Sequence, residues 1–97
     1  MMEHQPRLTA TSRPKLAAKV LMRLDPLTQE PILLYPEGVV KLNETGASIV
    51  RLCDGESTLD EIVQALAQLY HVEAEPLRQE VMAYLQNLYR YSLLAWH

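Results

Sequence analysis

Leu33–Gly55, LLYPEGVVKLNETGASIVRLCDG, joins a strand-type pattern to a helix-type pattern across a single asparagine, and its reading decides the fold. Before Asn43 the residues are apolar, aromatic or β-branched, interrupted only by Pro36-Glu37-Gly38. That interruption reads as a hairpin turn, with proline presetting φ and glycine free to take φ > 0. After Asn43 the period changes. The Asn43 side chain can accept from the unpaired amides of a first helical turn, Ala47, Val50 and Leu52-Cys53 recur at helical spacing, and Asp54-Gly55 reads as a left-handed stop. A hairpin therefore runs directly into a helix.

Outward from this segment, Val20, Met22 and Leu24 alternate with Leu21 and Arg23 as a first strand, Ile32–Tyr35 forms a second and Val39–Leu42 a third. The links are too short for crossovers, so the sheet is expected to be antiparallel. Downstream, Thr58 and Glu61 form a capping box ahead of Leu59, Ile62, Val63, Leu66 and Leu69-Tyr70 at helical spacing. A third helix should begin at Pro76 and run to about Tyr91. Its residues Leu77, Val81, Tyr84 and Leu88 share one stripe, and Arg78, Met82, Leu85 and Tyr89 an adjacent one that either widens the core face or lines a groove. Ser92–Trp96 closes the chain as a short strand or an apolar plug. The expected fold is α+β and winged-helix-like, a three-stranded antiparallel sheet followed by three helices. Residues 1–12 lack periodicity and are expected to form a flexible tail outside a domain of residues 13–97.

Composition excludes several function classes. Ninety-seven residues leave little room for a deep active-site cleft beside a core. The net charge of −3 is unevenly placed: residues 25–97 carry eleven acidic against four basic side chains. Cys53 is the only cysteine, which rules out an intrachain disulfide or a thiolate cluster, and its apolar helical setting marks it as a packing residue. His4, His71 and His97 lie at unrelated positions without ligand spacing, and His71 is expected at the C-terminal end of the second helix. The carboxylates Asp60-Glu61 and Glu73 with Glu75 fall at helix starts, where negative charge is favourable without any chemistry. There is no phosphate loop, nucleotide fingerprint or nucleophile elbow. No apolar run approaches the ~20 residues of a membrane span, and no secretory signal is legible. A cytoplasmic binding module that is not an enzyme is the expectation.

Arg13-Pro14 with Leu16, Ile32–Tyr35, Pro36-Glu37, Leu42-Asn43, Ile49, Leu52, Asp54-Gly55 and Ile62 follow one another in an order and spacing that resembles the PqqD family. These are the small peptide-binding proteins of pyrroloquinoline quinone (PQQ) biosynthesis, within the wider group of recognition elements for ribosomally made, post-translationally modified (RiPP) precursor peptides. The resemblance covers roughly residues 13–94. It implies a peptide chaperone without catalytic residues, cofactor or metal, which binds the PqqA precursor peptide by strand addition and presents it to the radical S-adenosylmethionine (SAM) enzyme PqqE. Carried onto this chain, it implies that Gly38, Val39, Val40 and Lys41 offer backbone to the peptide, with Met82, Leu85 and Tyr89 as a wall from the last helix. Recognition of another ribosomal peptide, such as a lasso peptide, keeps the same fold and remains open. So does a winged-helix DNA-binding regulator, against which stands the scarcity of basic residues from Asn43 to Tyr91: Arg51, Arg78 and Arg90 alone. Exposed strand edges leave both a monomer and a homodimer open.

Overall fold

The computed structural model describes residues 7–97. Its elements in chain order are β1 (Pro14–Leu16), β2 (Leu21–Leu24), β3 (Pro31–Tyr35), β4 (Gly38–Lys41), α1 (Glu44–Arg51), α2 (Leu59–Tyr70), α3 (Ala74–Arg90) and β5 (Leu94–Trp96). The sheet β2-β3-β4 is antiparallel with β3 at its centre. Three helices follow it, so the α+β, winged-helix-like arrangement read from sequence is the fold.

The starts of α1 and α2 carry side-chain caps, whereas that of α3 has none. Asn43 Oδ1 accepts the Gly46 amide at 2.7 Å, which caps α1 as its sequence demanded. At α2 the Thr58 Oγ1 accepts from Glu61 N and the Glu61 carboxylate accepts from Thr58 N. The two remaining free amides of that turn, Leu59 and Asp60, donate to the carbonyls of Ser12 and Ala10 at 2.8 and 3.0 Å. These last bonds correct the tail boundary. Residues 7–12 belong to the body, with Leu8 only 4% exposed and joined to the core; residues 1–6 lie outside the described ones.

Three further boundaries differ from expectation. Pro14–Leu16 is a strand, and its partner is β5, in the register Pro14↔Trp96, Lys15↔Ala95 and Leu16↔Leu94. The C-terminal segment is thus a strand in a second, two-stranded sheet. Helix α1 ends at Arg51, where the Leu52 amide donates to Ile49 O and the Cys53 amide to Val50 O, before Asp54-Gly55 is reached. Gly55 does take φ 82°, but in the turn beside β1, where its amide donates to Pro14 O at 2.9 Å. Asp54 Oδ1 accepts from the amides of Glu56 and Ser57, and these bonds hold its carboxyl below the usual range. The left-handed helix stop occurs instead at His71, which caps α2 with φ 55° and ψ 48°. Helix α3 starts at Ala74, with Pro76 in its first turn where a missing N–H costs nothing.

The core lies between the sheet and the helices. Leu33, Leu59, Ile62, Val63, Leu66, Val81, Leu85 and Leu94 are its most completely buried side chains. Cross-strand pairing puts Met22, Leu33 and Val40 in one row on the inner face, and Leu21, Leu34 and Val39 in a row on the outer face. Among the described residues no helix is long and apolar enough to cross a membrane. Leu66→Ala should cost about 2–5 kcal/mol by lost transfer energy and a residual cavity, whereas Leu69→Ala, at a 62% exposed position of the same helix, should change stability by less than about 0.5 kcal/mol. Urea denaturation of the two variants checks this.

Candidate functional site

β4 is an edge strand, and among the described residues nothing pairs with its outer side. The register Leu33↔Val40 and Tyr35↔Gly38, together with the Leu42 amide donating to Pro31 O at 3.0 Å, fixes which groups face which way. In an antiparallel ladder successive amides alternate sides. The amides of Gly38, Val40 and Leu42 point toward β3, and those of Val39 and Lys41 toward the open edge. An extended segment laid along β4 therefore finds two donors with their neighbouring carbonyls. The strand carries one charge, Lys41, and neither proline nor a bulge blunts it. The Val39 side chain, 55% exposed, stands on the outer face, while Val40 packs against the core.

Helix α3 presents two flanks beside its buried stripe of Leu77, Val81, Leu85 and Leu88. Leu85, expected as a wall residue, is 0% exposed and lies in the core of this structure, with no surface free to form a wall. The flank with Met82 and Tyr89 faces α2 and β5. Arg78 on it pairs with Asp60 of α2 at 2.7 Å, and the Tyr89 ring lies against Trp96 with centroids 4.6 Å apart. Met82 is half-buried against the core.

The opposite flank turns toward α1 and the end of β4. Tyr84 lies there, and a Cβ on Gly46 would collide with its hydroxyl, so α1 has glycine where the two helices touch. The same Cβ position is 3.0 Å from Asn43 Oδ1, which puts the Tyr84 hydroxyl beside the residue that closes β4. Burial raises the Tyr84 pKa above its ordinary value, with a smaller contribution from Cys53. A shallow cleft of about 550 Å³ runs along this flank, lined by Glu80, Ala83, Tyr84, Gln86, Asn87 and Arg90. Helical projection sets Tyr84 on the core stripe, and the side chain is packed, partly buried, against the core. Gly46 leaves the room for its ring at the contact with α1.

Among the described residues no group of three His, Cys, Asp or Glu side chains is arranged to hold a metal ion. Cys53 is buried in the core, and its thiol is pushed up to about 12, first by burial and then by the charge of Asp54. The sheet has two edge strands, β2 and β4, and an edge such as β4 is the kind of surface to which an extended chain can add.

Comparison with known proteins agrees. Residues 30–94 match the family model described as coenzyme PQQ synthesis protein D (PqqD), and the chain belongs to that family. It is 34% identical over 84 residues to a protein of Methylococcus capsulatus named PqqA binding protein, covering 84% of this chain and 90% of the relative. A Rhodopseudomonas palustris protein of the same name is 33% identical over 81 residues, covering 84% of this chain and 79% of its own length. The solution structure of the PqqD part of Methylobacterium extorquens PqqCD, described as a functional, stand-alone RiPP recognition element, superposes with a TM-score of 0.73 at 27% identity, covering 84% and 87% of the two chains. The crystal structure of PqqD from Xanthomonas campestris gives 0.58 at 25% identity, covering 98% and 97%.

Two outcomes test this geometry without any ligand. Val40→Pro should destabilise the fold, because it removes an inward amide, while Lys41→Pro should leave the melting temperature nearly unchanged. For Cys53, the folded pKa lies above the ordinary 9.0. Its contribution to stability is therefore complete below pH 9 and is lost as pH rises from there toward about 12. Denaturation between pH 8 and 11 should reveal a decline that is shallower in Cys53→Ala.

Proposed function

We propose that this chain is a peptide chaperone of PQQ biosynthesis. It takes up a PqqA-type precursor peptide as a fourth strand on β4 and presents it, in the cytoplasm, to the radical SAM enzyme PqqE. The observation that carries this reading is the open β4 edge, with the Val39 and Lys41 amides turned outward beside the Tyr84 flank of α3. Family membership and the names of the relatives supply the peptide's identity.

Gly38, Val39, Val40 and Lys41 provide the strand to which the peptide pairs, and backbone hydrogen bonds give affinity with little demand on sequence. Side-chain selectivity comes from alternate peptide residues pointing toward the helix flank, where Tyr84, Ala83 and Asn87 form the wall. Met82 and Tyr89 support that wall from behind, by packing on the core and on Trp96. Chemistry belongs to the partner enzyme. The only thiol of this chain is buried and protonated at neutral pH, so it offers no ligand for the iron–sulfur cluster that a radical modification needs.

The test is a calorimetric titration with PqqA peptide. Val39→Pro and Lys41→Pro should each abolish measurable binding while the fold persists, and Tyr84→Ala should weaken it. Normal binding by both proline variants, in folded form, would rule out strand addition at this edge. A reconstituted reaction of PqqE and PqqA should modify the peptide with Cys53→Ala as efficiently as with the native chain.

A further inference from the structure

A second cleft, of about 890 Å³, lies where the first turn of α1, the end of α2 and the start of α3 meet. Its walls are Thr45, Tyr70, Val72 and Pro76, and Leu77, 8% exposed, forms its floor. Tyr70 is held as a wall because its hydroxyl and Ser48 Oγ of α1 are hydrogen-bonded at 2.7 Å. The left-handed cap at His71 turns the chain sharply, leaving Val72 49% and Tyr70 39% exposed. These are apolar surfaces that the domain's own core does not use.

The charges around the cleft have one sign. Glu73 and Glu80 line it, Glu44 precedes Thr45 in α1, and among the described residues His71 is the only lining one able to become cationic. Among them, no Lys or Arg lines it. Arg78, the nearest arginine along α3, is turned to Asp60 at 2.7 Å and to Glu75 at 3.7 Å. Apolar walls with a carboxylate rim suit a side chain that has an aliphatic stem and a cationic head. Position adds to chemistry. Glu80 lines both this cleft and the one along the Tyr84 flank, so the two form a continuous surface on α3. Thr45 stands four positions beyond Lys41, the last residue of β4.

We propose that this cleft is a second subsite for the same peptide, receiving a Lys or Arg side chain and a neighbouring apolar residue from the segment that continues past the strand paired to β4. The inference rests on the strand-addition reading above. It makes recognition bipartite, with backbone pairing at the edge and side-chain selection at the acidic cleft.

The experiment is an amide NMR and calorimetric titration of the full chain with PqqA peptide, repeated with peptide whose Lys and Arg residues are replaced by Gln. Glu73 is the residue to vary, because it lines this cleft and not the neighbouring one, and its side chain makes no capping bond at α3. Native peptide should shift the amides of Thr45 and Val72 as well as those of Val39 and Lys41. Glu73→Gln should weaken binding about threefold and Glu73→Lys about tenfold or more, with a reduced dependence on salt. Neither variant should weaken the Gln-substituted peptide further. Shifts at Val39 and Lys41 alone, with affinity unchanged in both variants, would overturn the subsite and leave strand addition standing. Shifts in the cleft alone would keep the subsite and overturn strand addition. A cleft that responds to PqqE but never to peptide would also overturn the proposal.

Discussion

The pairing of β1 with β5 is the constraint on which the rest of the molecule depends. It joins Pro14–Leu16 to Leu94–Trp96, so the strand entering the domain is bonded to the strand leaving it. Closing so long a loop is entropically costly, and the cost is offset by the apolar surface enclosed. Leu94 is 1% exposed, and the Arg13 and His97 backbones extend the pairing. Because α3 feeds directly into β5, this clasp sets the helix's roll. Leu77, Val81, Leu85 and Leu88 are turned inward, Tyr89 against Trp96, and Tyr84 toward α1.

That roll in turn sets the surroundings of the β4 edge. A free strand edge is a hazard unless something limits what can pair with it. Here β4 ends at Lys41 and Asn43, two residues on, caps α1, so the chain turns away from the edge and does not cover it. Tyr84 fills the space left by Gly46 and stands beside Asn43. The edge is thereby open along its length and bounded at one end by a helix flank, a geometry that admits an extended chain from one side.

The acidic balance of residues 25–97 acquires a location in the structure. Asp60 and Glu61 serve the first turn of α2, with Asp60 also pairing Arg78. Asp54 is occupied by the amides of Glu56 and Ser57. Among the described residues, no Lys or Arg lines the cleft that holds Glu73 and Glu80. Carboxylates engaged in caps and pairs account for local stability, and those left over define the potential a partner meets.

The sequence by itself determined what is decided within three or four residues. The Thr58–Glu61 box, the Asn43 cap and the Pro36-Glu37 turn each involve groups that short-range geometry brings together whatever the rest of the chain does. The order of the three sheet strands and three helices followed from those signals. What only the tertiary structure decided involves partners far apart in the chain. Leu8 is core because the carbonyls of Ala10 and Ser12 meet α2. Asp54-Gly55 serves a turn against β1 because α1 has already closed its last carbonyls. Leu85, on the flanking stripe by helical projection, is fully buried, and Tyr84, on the core stripe, only partly so, since a stripe's position on a helix is local but its burial is fixed by what packs against it.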